Sequence, residues 1–198
     1  MNIRKAEQKD IENIAVIHCD AFEGFFLTSL GKDFLRLYYS KFVASDETVT
    51  LVAEEDGNIL GFSAASMVCR GFNGRLIKQN IFSFGALSLK LAFTNPSALL
   101  RLVKNLTKKG DDIQDDEEYA ELYSIGVDSK QQGKGIGKKL LYKTEGMLKD
   151  SGVERVSLTT DYENNENAVG FYRSMGYETL YEFVTYPDRK MYRFVKSL

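Results

Sequence analysis

The spacing of apolar positions changes period several times along the chain, and each change marks an element. After a strand-like start at Asn2–Lys5, the positions Ile11, Ile14, Ala15, His18 and Phe22 recur every three or four residues. This predicts a helix with Asp10 as its N-cap. A second helix is predicted after Gly31, with Phe34, Leu35, Tyr38 and Phe42 along one side. The texture then becomes strand-like over Thr48–Glu54 and Ile59–Val68, with Asp56-Gly57-Asn58 as turn chemistry between them, which predicts an antiparallel hairpin.

Residues 72–109 are apolar and basic. Their length and modest β-branching favour helix, broken at Asn95-Pro96 with Pro96 opening a second one, although Leu87, Leu89, Leu91 and Phe93 also alternate like a strand. The run 111–118 holds six acids in eight residues and reads as a solvated loop. A strand Tyr119–Val127 follows, then an amphipathic helix Ile136–Leu148 ended by Gly152, and a strand Val153–Thr159. A helix Asn165–Met175 stops at Gly176, and a last hairpin pairs Glu178–Val184 with Lys190–Val195 about Tyr186-Pro187-Asp188.

Composition narrows the class. A chain of 198 residues suits one domain, 1–198, and 13 Phe with 11 Tyr can fill its core. A net charge of −2 argues against a general nucleic-acid binder, and retention on DNA through Arg101–Lys109 is disfavoured with it. Two cysteines, Cys19 and Cys69, cannot make a disulfide framework and show no metal-ligand spacing. The polar start lacks a signal-peptide core, and Ile81–Phe93 is shorter than the ~20 residues a membrane span needs. The expectation is a reduced, cytoplasmic protein with no metal and no membrane span.

Candidate chemistry begins at Gln132-Gly133-Lys134-Gly135-Ile136-Gly137-Lys138, between a predicted strand and helix. Alternate glycines admit tight backbone geometry and expose successive N–H groups, and the positive end of the following helix points to the same place. Between Ser129 and Thr144 there are five lysines and no acid. The segment is therefore either an anion cradle suited to a diphosphate or a plain glycine-rich helix start with a solvated lysine face. A P-loop is excluded, because Gln132 and Asp128 stand where its first glycine must be; a Rossmann turn is excluded by Lys138 in place of its last glycine. A second constellation is Asn165-Glu166-Asn167-Ala168-Val169-Gly170-Phe171-Tyr172-Arg173-Ser174-Met175-Gly176-Tyr177, in which Phe171 can pack inward while Tyr172 points elsewhere.

The two stretches together, Gln-x-x-Gly-x-Gly at 132–137 and Asn-x-x-Ala-x-x-Phe-Tyr-x-x-x-Gly-Tyr at 165–177, resemble the cofactor motifs of the GNAT N-acetyltransferase superfamily in order and spacing. The likeness covers 119–184 closely and 2–69 in element order alone. It implies a mixed α/β (α+β) fold: a central, mostly antiparallel twisted sheet of about seven strands, flanked by helices, with 70–118 as a helical insertion. It also implies acetyl-CoA-dependent transfer to the primary amine of a small-molecule or peptide acceptor by direct attack.

Residue by residue, the resemblance implies that the strand 123–127 splays from the next parallel strand, with Gly126 easily accommodated at a bulge. Ile125 and Val127 would meet the pantetheine arm through main-chain atoms, and Asn165 would contact its side. The amides of Gln132, Gly133, Lys134, Gly135, Gly137 and Lys138 would hold the pyrophosphate. Tyr172 matches the usual general acid. Glu121 matches a carboxylate base found in several members and otherwise reads as a solvated strand carboxylate; Tyr123 and Ser124 are secondary candidates. His18 reads as structural, and Phe25, Phe26 and Tyr39 as acceptor-pocket walls. Cys19 and Cys69 read as packing residues. A non-catalytic acyl-CoA-binding protein is the alternative, with 72–109 as a candidate homodimer or partner surface.

Overall fold

Asp56 and Gly57 both adopt positive φ, 50° and 79°, so the two-residue turn matches the right-handed twist of the strands it joins. Those strands are β2 (Thr48–Glu55) and β3 (Asn58–Ser66). The computed structural model describes residues 1–97, 99, 100, 104, 115–185 and 188–198. Among them the other strands are β1 (Asn2–Lys5), β4 (Ala120–Val127), β5 (Arg155–Asp161), β6 (Glu178–Thr185) and β7 (Arg189–Ser197). All seven form one sheet in the order β1-β2-β3-β4-β5-β7-β6. Each neighbouring pair is antiparallel except β4 and β5.

Because successive strand residues point to opposite faces, β2 splits its apolar side chains between two cores. Val52 joins Phe62 and Ala64 of β3 on one face. There α1 (Ile11–Ala21), α3 (Lys32–Val43), α4 (Phe72–Gln79) and α5 (Ile81–Thr94) bury Ile14, Leu35, Tyr39, Phe42, Phe72 and Phe84. Val49, Leu51 and Ala53 face the other way, against α6 (Ile136–Asp150), which contributes Leu140, Leu141 and Leu148. Each fully buried Leu or Phe contributes roughly 1.5–3 kcal/mol of transfer free energy. Polar pins set the docking of α6: Thr144 and Ser63 hydroxyls lie 2.7 Å apart, and buried Glu145 accepts from Tyr177 Oη at 2.9 Å and Lys196 Nζ at 2.7 Å. A short helix α2 (Phe26–Ser29) follows α1, and α7 (Glu166–Ser174) links β5 to β6.

The structure changes some of these expectations. The helical segment breaks at Asn80, between α4 and α5, and the alternation of Leu87, Leu89, Leu91 and Phe93 is resolved as helix. Residues 96, 97, 99 and 100 are helical again after the Asn95 break. Asp10 does not cap α1 with its side chain; its carboxylate takes Arg4 and the Glu7 N–H instead. Asn165 sits at the N-cap of α7, also without a side-chain cap bond. The acid run is tethered where it is described: Asp115 accepts from the Tyr119 and Tyr181 hydroxyls and Asp116 from Arg155. Asp111–Gln114, the basic stretch beyond Leu100 apart from Lys104, and the Tyr186-Pro187 turn lie outside the described residues.

Candidate active site

The parallel pair β4–β5 is where the sheet opens. Its register runs Ala120↔Val156, Glu121↔Ser157 and Leu122↔Leu158, and there it ends. The cause lies on the other side of β4. Against β3, Ala64 pairs with Ser124 and Ala65 with Leu122, so Tyr123 is an extra residue, a bulge. A bulge bends its strand and increases the local twist. From Tyr123 onward β4 follows β3, while β5 stays on β7 as far as Asp161↔Met191. Residues 123–127 and 159–161 thus border a gap whose backbone edges no described strand pairs. The bulge is at Tyr123 and not at Gly126, which is in regular register opposite Phe62. A Cβ at Gly126 would stand 2.9 Å from Phe62 Cε1, so this glycine makes room for a core ring.

The glycine turn closes the wide end of the gap. Gly133 and Gly135 have φ of 77° and 73°, and a Cβ on either would meet nothing within 4 Å. Open space lies above them, so glycine is required here by backbone angle and not by crowding. Gly135 is the N-cap of α6, whose first turn carries no acid. Lys134, Lys138 and Lys139 are exposed around exposed Gly133 and Gly135. Helix-start amides, the helix dipole and three lysines converge on one exposed surface, which fits a pyrophosphate.

Asn165 donates to Thr160 Oγ1 at 2.6 Å and to the Asp161 carbonyl at 3.1 Å, fixing the end of β5 to the start of α7. That helix carries Phe171 and Tyr172, and both rings pack partly buried against the α6-side core, so Tyr172 shares the core of Phe171 and does not point elsewhere. The Tyr172 ring also touches Tyr177 and Phe194. Its hydroxyl makes no hydrogen bond to a described residue, and burial pushes its phenol well above the ordinary value.

Glu121 is not a solvated carboxylate. It is 9% exposed; Oε1 accepts from Arg193 Nη1 at 2.8 Å and Oε2 from Cys69 Sγ at 3.1 Å. It stands at the closed end of the gap, facing away from Leu122 as strand alternation requires. Arg193 and Cys69 are the partners that sequence reasoning missed, and they lie 72 and 52 residues from Glu121 along the chain. Burial, then Glu121, raises the Cys69 thiol, which makes it a poor nucleophile. Burial, then Glu121, also raises the Tyr123 phenol, so it is not a base at neutral pH.

His18 and Tyr39 lie inside the other core. Tyr39 is fully buried and therefore is not a wall of an open pocket. Its hydroxyl donates to Ser124 Oγ at 3.0 Å and stands 2.7 Å from His18 Nδ1. His18 meets that hydroxyl through Nδ1, and its buried Nε2 has no partner among the described residues. Burial lowers the His18 pKa to about 4. A histidine lowered on folding favours the native state above its unfolded value near 6.5 and loses that contribution as pH falls toward 4. Urea unfolding between pH 7 and 4 should show a loss of about 3 kcal/mol from this source, and His18→Asn should flatten it. The half-buried Arg189 guanidinium is held by Asp161 at the end of β5 and lies 4.6 Å from the Phe25 ring centre.

These features define an open-sheet α/β protein with a parted parallel pair and a glycine-rich, lysine-lined turn after its first strand. A model of the acetyltransferase (GNAT) family matches residues 11–177. The chain belongs to that family. Relatives include mycothiol acetyltransferase of Thermobifida fusca (strain YX), 41% identical over 75 residues, which is 36% of this chain and 23% of that protein. Mycothiol acetyltransferase of Rhodococcus erythropolis (strain PR4) is 30% identical over 105 residues, 53% of this chain and 34% of that protein. The matched stretches therefore span no more than about a third of these relatives. In fold, the chain resembles ribosomal-protein-alanine N-acetyltransferase from Brucella melitensis, with TM-score 0.63, 16% identity and complete coverage of both chains. It also resembles PaiA N-acetyltransferase from Thermoplasma acidophilum in complex with coenzyme A, with TM-score 0.60, 15% identity and coverage of 100% and 98%.

Proposed function

We propose that the chain is an acetyl-CoA-dependent N-acetyltransferase of one domain, 1–198, acting in the cytoplasm on a primary amine of a small-molecule or peptide acceptor. The observation that carries this reading is the β4–β5 gap running into the glycine cradle. The likeness to mycothiol acetyltransferases supports acetyl transfer, and the two free cysteines suit a reducing compartment.

When bound, acetyl-CoA supplies an activated acetyl group as a thioester. The amides of Gln132, Gly133, Lys134, Gly135, Gly137 and Lys138 hold its pyrophosphate. The free backbone edge at Ile125 and Val127 binds the pantetheine arm as an added strand would, and Asn165 flanks it. Tyr172 gives its phenolic proton, or a strong hydrogen bond, to the departing sulfur. Glu121, fixed by Arg193 on one oxygen and Cys69 on the other, accepts the amine proton on its remaining lone pairs. Holding donor and amine in one site makes a covalent enzyme intermediate unnecessary.

The test is calorimetric CoA binding together with thiol release from acetyl-CoA over a panel of amines. Binding with turnover is expected. Binding without turnover on any amine would favour an acyl-CoA-binding regulatory protein. Gly135→Ala, which forces a side chain into φ 73°, should weaken CoA binding by roughly tenfold for each 1.4 kcal/mol of strain and lost contact.

A further inference from the structure

Strand alternation fails at one place in β4. Leu122, Ile125 and Val127 face the α6-side core. Between Leu122 and Ile125, two consecutive residues face the opposite side together. The Tyr123 ring meets Phe42 and Phe72 at 5.5 and 5.7 Å, and Ser124 Oγ accepts from Tyr39 Oη at 3.0 Å. Two neighbours on one face are what an extra residue in a strand produces. The apolar pattern dictates that the bulge exists: without it Ile125 and Val127 would turn to the α1 side. Ile125 would then stand opposite Phe62, whose ring leaves no room for a Cβ at the paired position now held by Gly126.

The pattern does not set the angle at which β4 leaves the bulge. The extra residue interrupts the ladder, so side chains must hold the backbone there. Tyr123 is the apolar anchor, and Ser124 is the polar one. The Tyr39 hydroxyl that reaches Ser124 also stands 2.7 Å from His18 Nδ1, so one oxygen joins α1, α3 and β4. His18, Tyr39 and Ser124 are 2%, 0% and 5% exposed. At that depth a broken bond is not replaced by solvent, and a swing of β4 about the bulge would leave polar groups unpaired. We propose that Tyr39, supported by His18, is a positioning residue for the cofactor: through Ser124 it sets the direction of β4 beyond the bulge, and with it the width of the β4–β5 gap.

The inference rests on the acetyl-CoA reading above, and the place of the hub says which substrate feels it. Glu121 precedes the bulge and is held separately, by Arg193 and Cys69. The free backbone edge at Ile125 and Val127 follows directly on Ser124. Loss of the hub therefore reaches acetyl-CoA and spares the amine. Tyr39 itself moves no proton to substrate, since its hydroxyl is engaged within the core and burial raises its phenol above the ordinary value.

The experiment is calorimetric CoA binding by the full chain and by Tyr39→Phe, Ser124→Ala, Tyr39→Phe/Ser124→Ala and Ile14→Val. Urea unfolding gives the folded fraction of each, and steady-state thiol release gives KM for acetyl-CoA and for an amine that wild type turns over. Ile14 is fully buried on α1 in the same core, so Ile14→Val loosens packing without touching the hub. Each single hub variant should raise the Kd for CoA and the KM for acetyl-CoA by roughly fivefold or more, with the amine KM within about twofold of wild type. Ser124→Ala removes the smallest group and carries the test if Tyr39→Phe does not fold. The double variant should bind no more than about twofold worse than the weaker single one, because either change already breaks the same link. Ile14→Val should bind CoA like wild type. Unchanged Kd in the folded hub variants, effects that multiply in the double variant, or an equal rise in Ile14→Val would overturn the assignment and leave the acetyl-CoA reading standing. No CoA binding by wild type would overturn both.

Discussion

Replacing Tyr172 with phenylalanine is expected to lower kcat by roughly 10²–10⁴-fold, with the KM for acetyl-CoA nearly unchanged. The two effects separate because the side chain does two things. Its ring packs on Phe171, Tyr177 and Phe194, and phenylalanine keeps those contacts. Its hydroxyl bonds to no described residue, so its removal leaves no protein group newly unpaired and should cost little stability. What is lost is the proton donor proposed to serve the departing sulfur. Burial raises this phenol above its ordinary value, so it stays protonated across the neutral range, and the wild-type rate should show no alkaline decline from Tyr172 below about pH 10. Steady-state thiol release measured for both proteins checks this. Unchanged kcat in the variant, on an amine that wild type turns over, would remove Tyr172 from the mechanism.

Tyr172 was legible in the sequence because its motif is local. Asn165 through Tyr177 fit on one helix and its ends, and the glycines of 133–137 fit in one turn, so the family resemblance could be read from short stretches of sequence and Tyr172 singled out through it. The gap was foreseen only through the family resemblance, and its cause was not foreseen. Whether Tyr123 bulges depends on the register of β4 against β3, set by side chains some 60 residues apart, and no periodicity within β4 reveals it. The break at Asn80 was hidden for a different reason. Apolar residues on both sides of α5 blur the period that would have marked its start, since one side faces the core and the other faces outward. The environment of Glu121 was least legible. A lone strand carboxylate carries no sign of the arginine and the thiol that meet it from distant elements.

That environment makes Arg193→Met the most destabilising change we expect in this region. Burial alone would pull the Arg193 guanidinium down, but Glu121 and then Tyr119 hold it above its ordinary value, so Arg193 enters the core charged and paired with Glu121. Their side chains are 12% and 11% exposed, and Arg193 also donates to Ser157 Oγ at 3.0 Å. Methionine would fill much of the space yet leave the Glu121 carboxylate with neutral neighbours, such as the weak Cys69 donor, in place of a cation. An uncompensated buried charge costs about 3–5 kcal/mol, which in a domain of this size lowers Tm by roughly 10 °C or more. Glu121→Gln alone leaves the opposite charge unpaired and should destabilise too. The double variant Glu121→Gln/Arg193→Met removes both charges and should recover at least ~1 kcal/mol against the sum of the single changes. Chemical unfolding of the four proteins at pH 7 measures that coupling. Strict additivity would mean that the pair contributes nothing as a pair. Because the double variant should remain folded at low temperature, its turnover there also separates the two roles of Glu121. A fall of about 10²-fold or more is expected of a positioned base, whereas full turnover would leave Glu121 as the anchor that closes the narrow end of the gap.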